Sequence, residues 1–317
     1  MDKKPLVIIA GPTAVGKTAA SIKLAKEING EIISGDSMQV YKTMDIGTAK
    51  VMPDEMDGVK HYMIDELNPD DEFSVFKFKQ RAKKYIDEIY AKGKVPIIVG
   101  GTGFYIQSII YDIEFEDVQT NFEYREELEK DANEYGNDYI HNKLKGVDEK
   151  AAELIHPNNR KRVIRALEFF KTNNEKISDH NEKEKSKITP YNLAFFVLTC
   201  NDRNVLYDRI NLRVDIMKNG GLIEEVKDVY SKYDKSLVSM QGIGYKEIIE
   251  YLDGSLALEE SLELLKKNTR NFAKRQVTWF KREKDARWIE TDLLDFDKDK
   301  ITNKMLEILE EKGIYNA

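Results

Sequence analysis

The sequence predicts an α/β protein, in which a parallel sheet is covered by helices on both faces and is interrupted by an all-helical insertion. Three observations predict this fold. Short apolar runs alternate with amphipathic helical stretches in residues 1–112 and 190–317, a glycine-rich loop joins the first run to the first helix, and residues 113–189 are charged and lack strand-like runs. Because such alternation is typical of crossover connections, the strands should be parallel and buried on both sides.

The elements follow from apolar spacing. Leu6 to Ala10 is a continuous apolar run that predicts a buried strand, and Ala19 to Ile28 has helical spacing. Further strands are predicted at Glu31–Ser34, Val95–Val99, Leu193–Cys200 and Trp288–Ile289, with a helix from about Phe76 to Tyr90 and mostly helix from Val205 to Phe280. These elements form one core with a helical carboxyl-terminal region.

The insertion, residues 113–189, contains a predicted helix that Asn159 could cap. Val163, Ala166, Leu167 and Phe170 form its apolar stripe, and basic side chains occupy the rest of its surface. Residues 173–187 are polar and of mixed charge, which predicts a mobile connector.

Composition narrows the class of protein. Of 317 residues, 34% are charged, and the longest apolar run, Leu193 to Cys200, is too short to cross a bilayer. The amino terminus lacks the hydrophobic segment of a secretory signal, so we expect a cytoplasmic protein without a membrane segment. One cysteine, Cys200, forms no internal disulfide, and four scattered histidines indicate no zinc site.

The charge is unevenly distributed. A net charge of −7 argues mildly against nucleic-acid binding by the chain as a whole. Two segments reverse the balance, Arg160–Arg165 and Lys266–Arg287. These segments are where a polyanion could bind.

A phosphate-binding loop follows the first strand. It consists of Gly11, Pro12, Thr13, Ala14, Val15, Gly16, Lys17 and Thr18, and it matches G-x-x-x-x-G-K-[ST] in the strand–loop–helix context that the motif requires. Backbone amides and the helix amino terminus would face a diphosphate, Lys17 would add a positive charge, and Thr18 could hold Mg²⁺. The loop predicts a P-loop NTPase-like core. The purely structural alternative is a glycine turn that only starts a helix.

The loop alone does not name a reaction, because it would bind a nucleotide or another diphosphate ester equally well. One alternative is a P-loop small-molecule or nucleotide kinase whose lid is the insertion. A GTPase-like switch or binding module is a third possibility, although no N-K-x-D guanine signature occurs.

A carboxylate follows the second predicted strand. Asp36 lies at the carboxyl end of that strand, where ligands bind in open parallel sheets. An aspartate there could equally cap a turn or a helix start. Position alone leaves both roles open.

Six blocks in this sequence resemble the tRNA dimethylallyltransferase (tRNA isopentenyltransferase) family of bacterial type. They are GPTAVGKT at 11–18, SGDSMQVYKTMDIGTAK at 34–50, VGGTGFY at 99–105, IHPNNRKRVIRALE at 155–168, DRINLRVDIMKNGG at 208–221 and QGIGYKE at 241–247. Their order also agrees, and the resemblance extends over nearly the whole chain. One departure is Thr43, at a position where the family often has glycine.

The resemblance implies an activity: transfer of a dimethylallyl group from dimethylallyl diphosphate to N6 of adenosine-37, beside the anticodon of tRNA, with release of diphosphate. An exocyclic amine is a poor nucleophile, so removal of its proton during attack should help, and Asp36 matches the family's base. Thr102 and Arg213 match positions beside the reacting groups. Mg²⁺ is the expected cofactor, and a monomer is expected.

The resemblance also implies contacts with the tRNA anticodon stem-loop, whose target base must leave its stack to be modified. These contacts are assigned to Asp36, Ser37, Met38, Gln39, Thr102, Arg125, Lys161, Arg162, Val163, Ile164, Arg165, Gln241, Gly242, Ile243, Gly244, Tyr245 and Lys246.

Overall fold

The fold was examined in a computed structural model, which describes residues 3–115, 122–185 and 187–316. Its strands are β1 (Pro5–Ala10), β2 (Gly30–Ser34), β3 (His61–Tyr62), β4 (Val95–Gly100), β5 (Asn192–Thr199) and β6 (Arg287–Glu290). Its helices are α1 (Lys17–Glu27), α2 (Val75–Ala91), α3 (Gly103–Ile110), α4 (Phe122–Tyr135), α5 (Asn137–Val147), α6 (Glu149–Leu154), α7 (Arg160–Asn173), α8 (Ile177–Lys185), α9 (Arg203–Asn219), α10 (Leu222–Tyr230), α11 (Tyr245–Leu252), α12 (Leu258–Phe280) and α13 (Lys298–Glu311).

The strands form one parallel sheet in the order β3-β2-β4-β1-β5-β6. β4 lies between β1 and β2, with Ile98 paired with Ile8 on one side and with Ile33 on the other. The loops that follow these three adjacent strands therefore meet at one edge of the sheet, which is where ligands bind in open parallel sheets.

Both faces of the sheet are buried, as continuous apolar strands require. On one face Val7 and Ile9 belong to an apolar cluster with residues of α1 and α13. On the other, Phe195 contacts Phe280 of α12 edge to face, with ring centroids 6.2 Å apart. The α/β fold class predicted from the sequence is confirmed.

The chain separates into two compact units, residues 1–110 with 190–317 and residues 111–189. The smaller unit holds α4 to α8 around its own apolar core, which includes Leu128, Ile140, Leu144, Val163 and Leu167. The predicted insertion, 113–189, includes residues 116–121 and 186, which lie outside the described residues.

Two local predictions were wrong. The predicted connector at 173–187 includes a helix, because Ile177–Lys185 forms α8. This helix is held by tertiary contacts, as the Ser178 amide donates to Asp148 Oδ2 at 3.0 Å and the His180 ring lies 5.0 Å from that of Phe169. Asn159 does stand at the start of α7, but its side chain makes no capping hydrogen bond.

One strand was missed. β3 has two residues, which are too few to show an apolar period. Its strand conformation is defined by pairing with Ile32 and Ile33 of β2. Across the described ranges, no helix is both long and apolar enough to span a bilayer.

Candidate active site

The phosphate loop connects β1 to α1 and is shaped to receive an anion. Gly16 precedes α1 with φ 97°, in the left-handed region that favours glycine, and α1 has no acidic residue in its first turn. The positive end of the helix dipole therefore faces the loop without a carboxylate of its own helix to neutralise it.

The ammonium of Lys17 turns back into this loop. Its Nζ donates to the carbonyl oxygens of Gly11 at 2.9 Å and Pro12 at 2.6 Å. The pKa of Lys17 is lowered to about 7, mainly by desolvation and also by the nearby guanidinium of Arg213, while the carboxylate of Asp36 partly opposes the shift. A bound diphosphate would supply the counter-charge that this ammonium lacks.

The loop is also braced from α9. Arg209 Nε donates to the carbonyl oxygen of Ala14 at 2.9 Å, and its guanidinium stacks 3.8 Å from the centroid of the Phe296 ring. Ala14 has φ 64°, a conformation that an alanine rarely adopts. The hydrogen bond from Arg209 therefore helps to hold the loop in a backbone conformation that is unfavourable for Ala14.

Asp36 caps a turn, which is one of the two roles that its position allows. Its Oδ1 accepts from the amides of Met38 at 2.8 Å and Gln39 at 3.3 Å, which is a turn cap. The same carboxylate partly opposes the lowering of the pKa of Lys17 and of Arg213, so the three groups interact electrostatically. The cap uses Oδ1 of this carboxylate.

Arg213 lies on α9, and burial lowers its pKa while Asp36 and Glu55 oppose that shift. Within the described ranges no carboxylate lies within salt-bridge distance of its guanidinium. Thr102 immediately precedes α3, where its carbonyl oxygen accepts from the amides of Tyr105 and Ile106. Its partly exposed side chain follows β4, so the structure brings Thr102 to the same edge of the sheet as Asp36 and the phosphate loop.

The segments 34–50 and 241–247 are joined by Glu225 of α10. Its carboxylate accepts from the amides of Asp45, Ile46 and Gly47 at 2.7–3.0 Å and from the hydroxyl of Tyr245 at 2.5 Å. Tyr245 is fully buried, so its proposed contact with RNA would not come from its ring. No local motif marks Glu225, and the sequence analysis missed it.

The rest of the second segment is more open. Gln241 donates through Nε2 to the carbonyl oxygen of Lys235, and Gly242, Ile243 and Lys246 are partly or fully exposed. Gly244, with φ 105°, donates its amide to Glu247 Oε2 at 2.8 Å. The turn that precedes α11 is therefore held from within the protein.

In the smaller unit, α7 has a basic face and an apolar face. Lys161, Arg162 and Arg165 are exposed, whereas the side chains of Val163 and Ile164 are buried in the core of that unit. Any contact of residues 161–165 with RNA therefore falls to the basic side chains of Lys161, Arg162 and Arg165.

Arg125 is already engaged. Its Nε and Nη2 donate to the two carboxylate oxygens of Glu168 at 2.8 and 2.7 Å, and Glu168 is only 2% exposed. A bidentate pair with a buried acid is a structural arrangement that fixes the guanidinium of Arg125, whose side chain is still 43% exposed.

The residues present suit Mg²⁺ only together with a phosphate ligand. Among the described residues, no three His, Cys, Asp or Glu side chains are grouped to hold a metal ion. Thr18 offers one hydroxyl on an exposed residue at the start of α1. Mg²⁺ commonly takes one or two protein oxygens and completes its shell with phosphate and water, which fits this sparse donor set.

Comparisons with known proteins agree with one another. The family model described as IPP transferase matches residues 39–283. A tRNA dimethylallyltransferase of Lachnoclostridium phytofermentans is 58% identical over 98% of this chain and 99% of its own length.

Solved structures are similar over nearly all of this chain. The full-length tRNA isopentenylpyrophosphate transferase of Bacillus halodurans is 47% identical, with 98% of each chain covered and a TM-score of 0.73. A eukaryotic dimethylallyltransferase captured in crystals acting on tRNA is 30% identical, with 96% of this chain and 78% of that chain covered and a TM-score of 0.82.

Proposed function

Since the chain belongs to the IPP transferase family, we propose that it transfers a dimethylallyl group from dimethylallyl diphosphate to N6 of adenosine-37 in the anticodon loop of tRNA. At the level of enzyme class it is a tRNA dimethylallyltransferase, and the kinase alternative is not favoured. We place the activity in the cytoplasm, with the tRNA.

The observation that carries the proposal is the grouping of Lys17, Arg213 and Asp36. Lys17 and Arg213, which form no salt bridge with a carboxylate of the described residues, interact electrostatically with Asp36, whose Oδ1 caps a turn. The cations suit a diphosphate leaving group, and the carboxylate suits an amine that must lose a proton. A site for diphosphate binding alone would not need the carboxylate.

The reaction divides among these groups as follows. The N6 amine attacks the allylic carbon of the donor, a carbon–nitrogen bond forms, and the bond from that carbon to the diphosphate oxygen breaks. The electron pair leaves with the diphosphate, whose growing charge meets Lys17, Arg213 and the loop amides. The proton from the amine goes to Asp36, and Thr102 lies beside the reacting groups.

Thr18 would hold Mg²⁺ against the diphosphate, and the bound ion would neutralise part of the charge of the leaving group. For tRNA, the exposed cations Lys161, Arg162 and Arg165 support backbone contact by the insertion. Replacing one of them with Ala should reduce the slope of log K for tRNA binding against log salt concentration by about one.

The test incubates the protein and Mg²⁺ with dimethylallyl diphosphate and a tRNA that carries adenosine-37, and then measures prenyladenosine by mass spectrometry. Asp36→Asn should abolish the product while it keeps the turn, because an amide oxygen can still accept from Met38 and Gln39. Asp234→Asn is the matched control, since Asp234 Oδ1 caps an equivalent turn by accepting from the Ser236 amide at 2.7 Å. If the wild-type protein forms no prenyladenosine but consumes ATP with a small acceptor, the proposal fails.

A further inference from the structure

Helix α12 contacts two loops of the candidate site through one side chain. Gln276 is 6% exposed, and its Oε1 accepts from the amide of Thr13 in the phosphate loop at 3.1 Å. Its Nε2 donates to the carbonyl oxygen of Gly101 at 3.1 Å, in the loop that follows β4 and contains Thr102. One carboxamide thus connects the loop that would bind diphosphate to the loop that carries Thr102.

The contact between α12 and the second loop is close. A Cβ atom at Gly101 would lie 2.0 Å from Gln276 Nε2, and one at Gly103 would lie 2.1 Å from Cδ1 of Trp279. The helix therefore touches the backbone on both sides of Thr102. Gln276 and Trp279 are one helical turn apart, so they lie on the same face of α12.

Glutamine suits this place because its side chain carries a donor and an acceptor together. A buried N–H and a buried C=O must both be paired, and one carboxamide satisfies both. A carboxylate could not donate to Gly101, and a cation would compete with the phosphate loop for the anion. The neutral carboxamide joins the two loops without changing the charge of the site.

We propose that Gln276 is a positioning residue that fixes the phosphate loop against the Thr102 loop. The bound diphosphate and Thr102 are thereby held in one orientation toward the reacting carbon. This role rests on the proposed function, in which both loops act on the same donor.

The first test replaces Gln276 with Met, which has a similar length but neither a strong donor nor a strong acceptor. The expected result is a fall in kcat/KM of about tenfold or more, because small displacements of positioned groups cost large factors in rate. Affinity for inorganic pyrophosphate, measured by calorimetry, should also fall. Thr269→Val on the same helix is the matched control, since the Thr269 hydroxyl donates only within the helix, to the Leu265 carbonyl at 2.8 Å.

The second test replaces Gln276 with Glu, which separates positioning from general stability. Burial favours the neutral carboxyl, and that form can accept from Thr13 and donate to Gly101 as the amide does. The ratio of Gln276→Glu activity to wild-type activity, per folded molecule, should therefore rise as the pH falls from 8 to 6. The Gln276→Met ratio should stay flat over the same range.

Two results would overturn the role of Gln276: kcat and KM of folded Gln276→Met within twofold of wild type, or a Gln276→Glu ratio that does not change with pH. Failure of the proposed function looks different, because the wild-type protein itself would then form no prenyladenosine. In that case a comparison of the pyrophosphate affinities of wild type and Gln276→Met still decides whether the Gln276 side chain positions the phosphate loop.

Discussion

The phosphate loop and the segment after Asp36 each contain a lysine whose ammonium bonds to protein oxygens, and the two sets of partners differ. The ammonium of Lys17 donates to two backbone carbonyl oxygens, and its pKa is lowered to about 7. The side chain of Lys50 is 1% exposed, but its Nζ reaches one carboxylate oxygen each of Asp45 and Asp65 at 2.5 Å and the Tyr41 carbonyl at 2.7 Å. Removing a paired lysine leaves its carboxylates without their partner and so destabilises the fold, whereas a lysine without a carboxylate partner is available to an anionic ligand.

The largest expected effect is on activity at the phosphate loop. Lys17→Met should lower kcat/KM for prenyl transfer by about 10³-fold, since one charged contact to the leaving group is lost. Its melting temperature should not fall, because the variant removes a desolvated charge that has no carboxylate partner. Steady-state kinetics and thermal denaturation of the same preparation measure both. A large fall in melting temperature would show that Lys17 stabilises the fold as Lys50 does, and would contradict the comparison.

The paired lysine should show the reverse pattern. Lys50→Met should destabilise the fold by about 2 kcal/mol, less than for a wholly buried pair, because Asp45 and Asp65 are 37% and 50% exposed. Chemical denaturation measures the change. Pyrophosphate affinity of the folded fraction should stay near the wild-type value, and a loss as large as that of Lys17→Met would contradict the comparison.

A smaller effect is expected at Thr43, in the same segment as Lys50. Thr43 is exposed with φ 63°, a conformation unfavourable for a β-branched residue, which explains why glycine would suit this position. Thr43→Gly should stabilise the fold by about 1 kcal/mol after the entropy of glycine in the unfolded chain is counted. The control Thr43→Ala should change the free energy of unfolding little in chemical denaturation. Equal stabilisation by both variants would contradict the explanation from backbone conformation.

The smallest expected effect is the uptake of a proton when pyrophosphate binds. The pKa of Lys17 lies near 7 in the free protein, below its ordinary value of 10.5, so at pH 8 the side chain is mostly neutral until an anion raises its pKa again. Pyrophosphate binding should therefore take up almost one proton at pH 8 and almost none below pH 6. Calorimetry in buffers of different ionisation enthalpy measures this uptake. Lys17→Arg, which does not titrate here, should show only the uptake due to pyrophosphate itself.

Much of the site could be predicted because its signals are local. The phosphate loop is continuous in sequence and was found from its strand–loop–helix pattern, whereas the place of Asp36 after a strand left its role open and the family resemblance singled it out. Gln276 and Glu225 carry no such signal. Their partners lie 263 and about 180 residues away, and nothing in the composition of a helix indicates which of its polar side chains will meet a distant loop.

The sequence by itself determined the parallel α/β core, the phosphate loop and the residues that carry charge in the site, because these depend on apolar period and on residue type. Only the tertiary structure decided which charges are paired, which side of α7 is buried, and which helices brace the loops. The physical reason is that pairing and burial depend on distances between residues far apart in the chain. Lys17 and Lys50 are the same residue type, and only the folded chain places one against backbone carbonyl oxygens and pairs the other with two carboxylates.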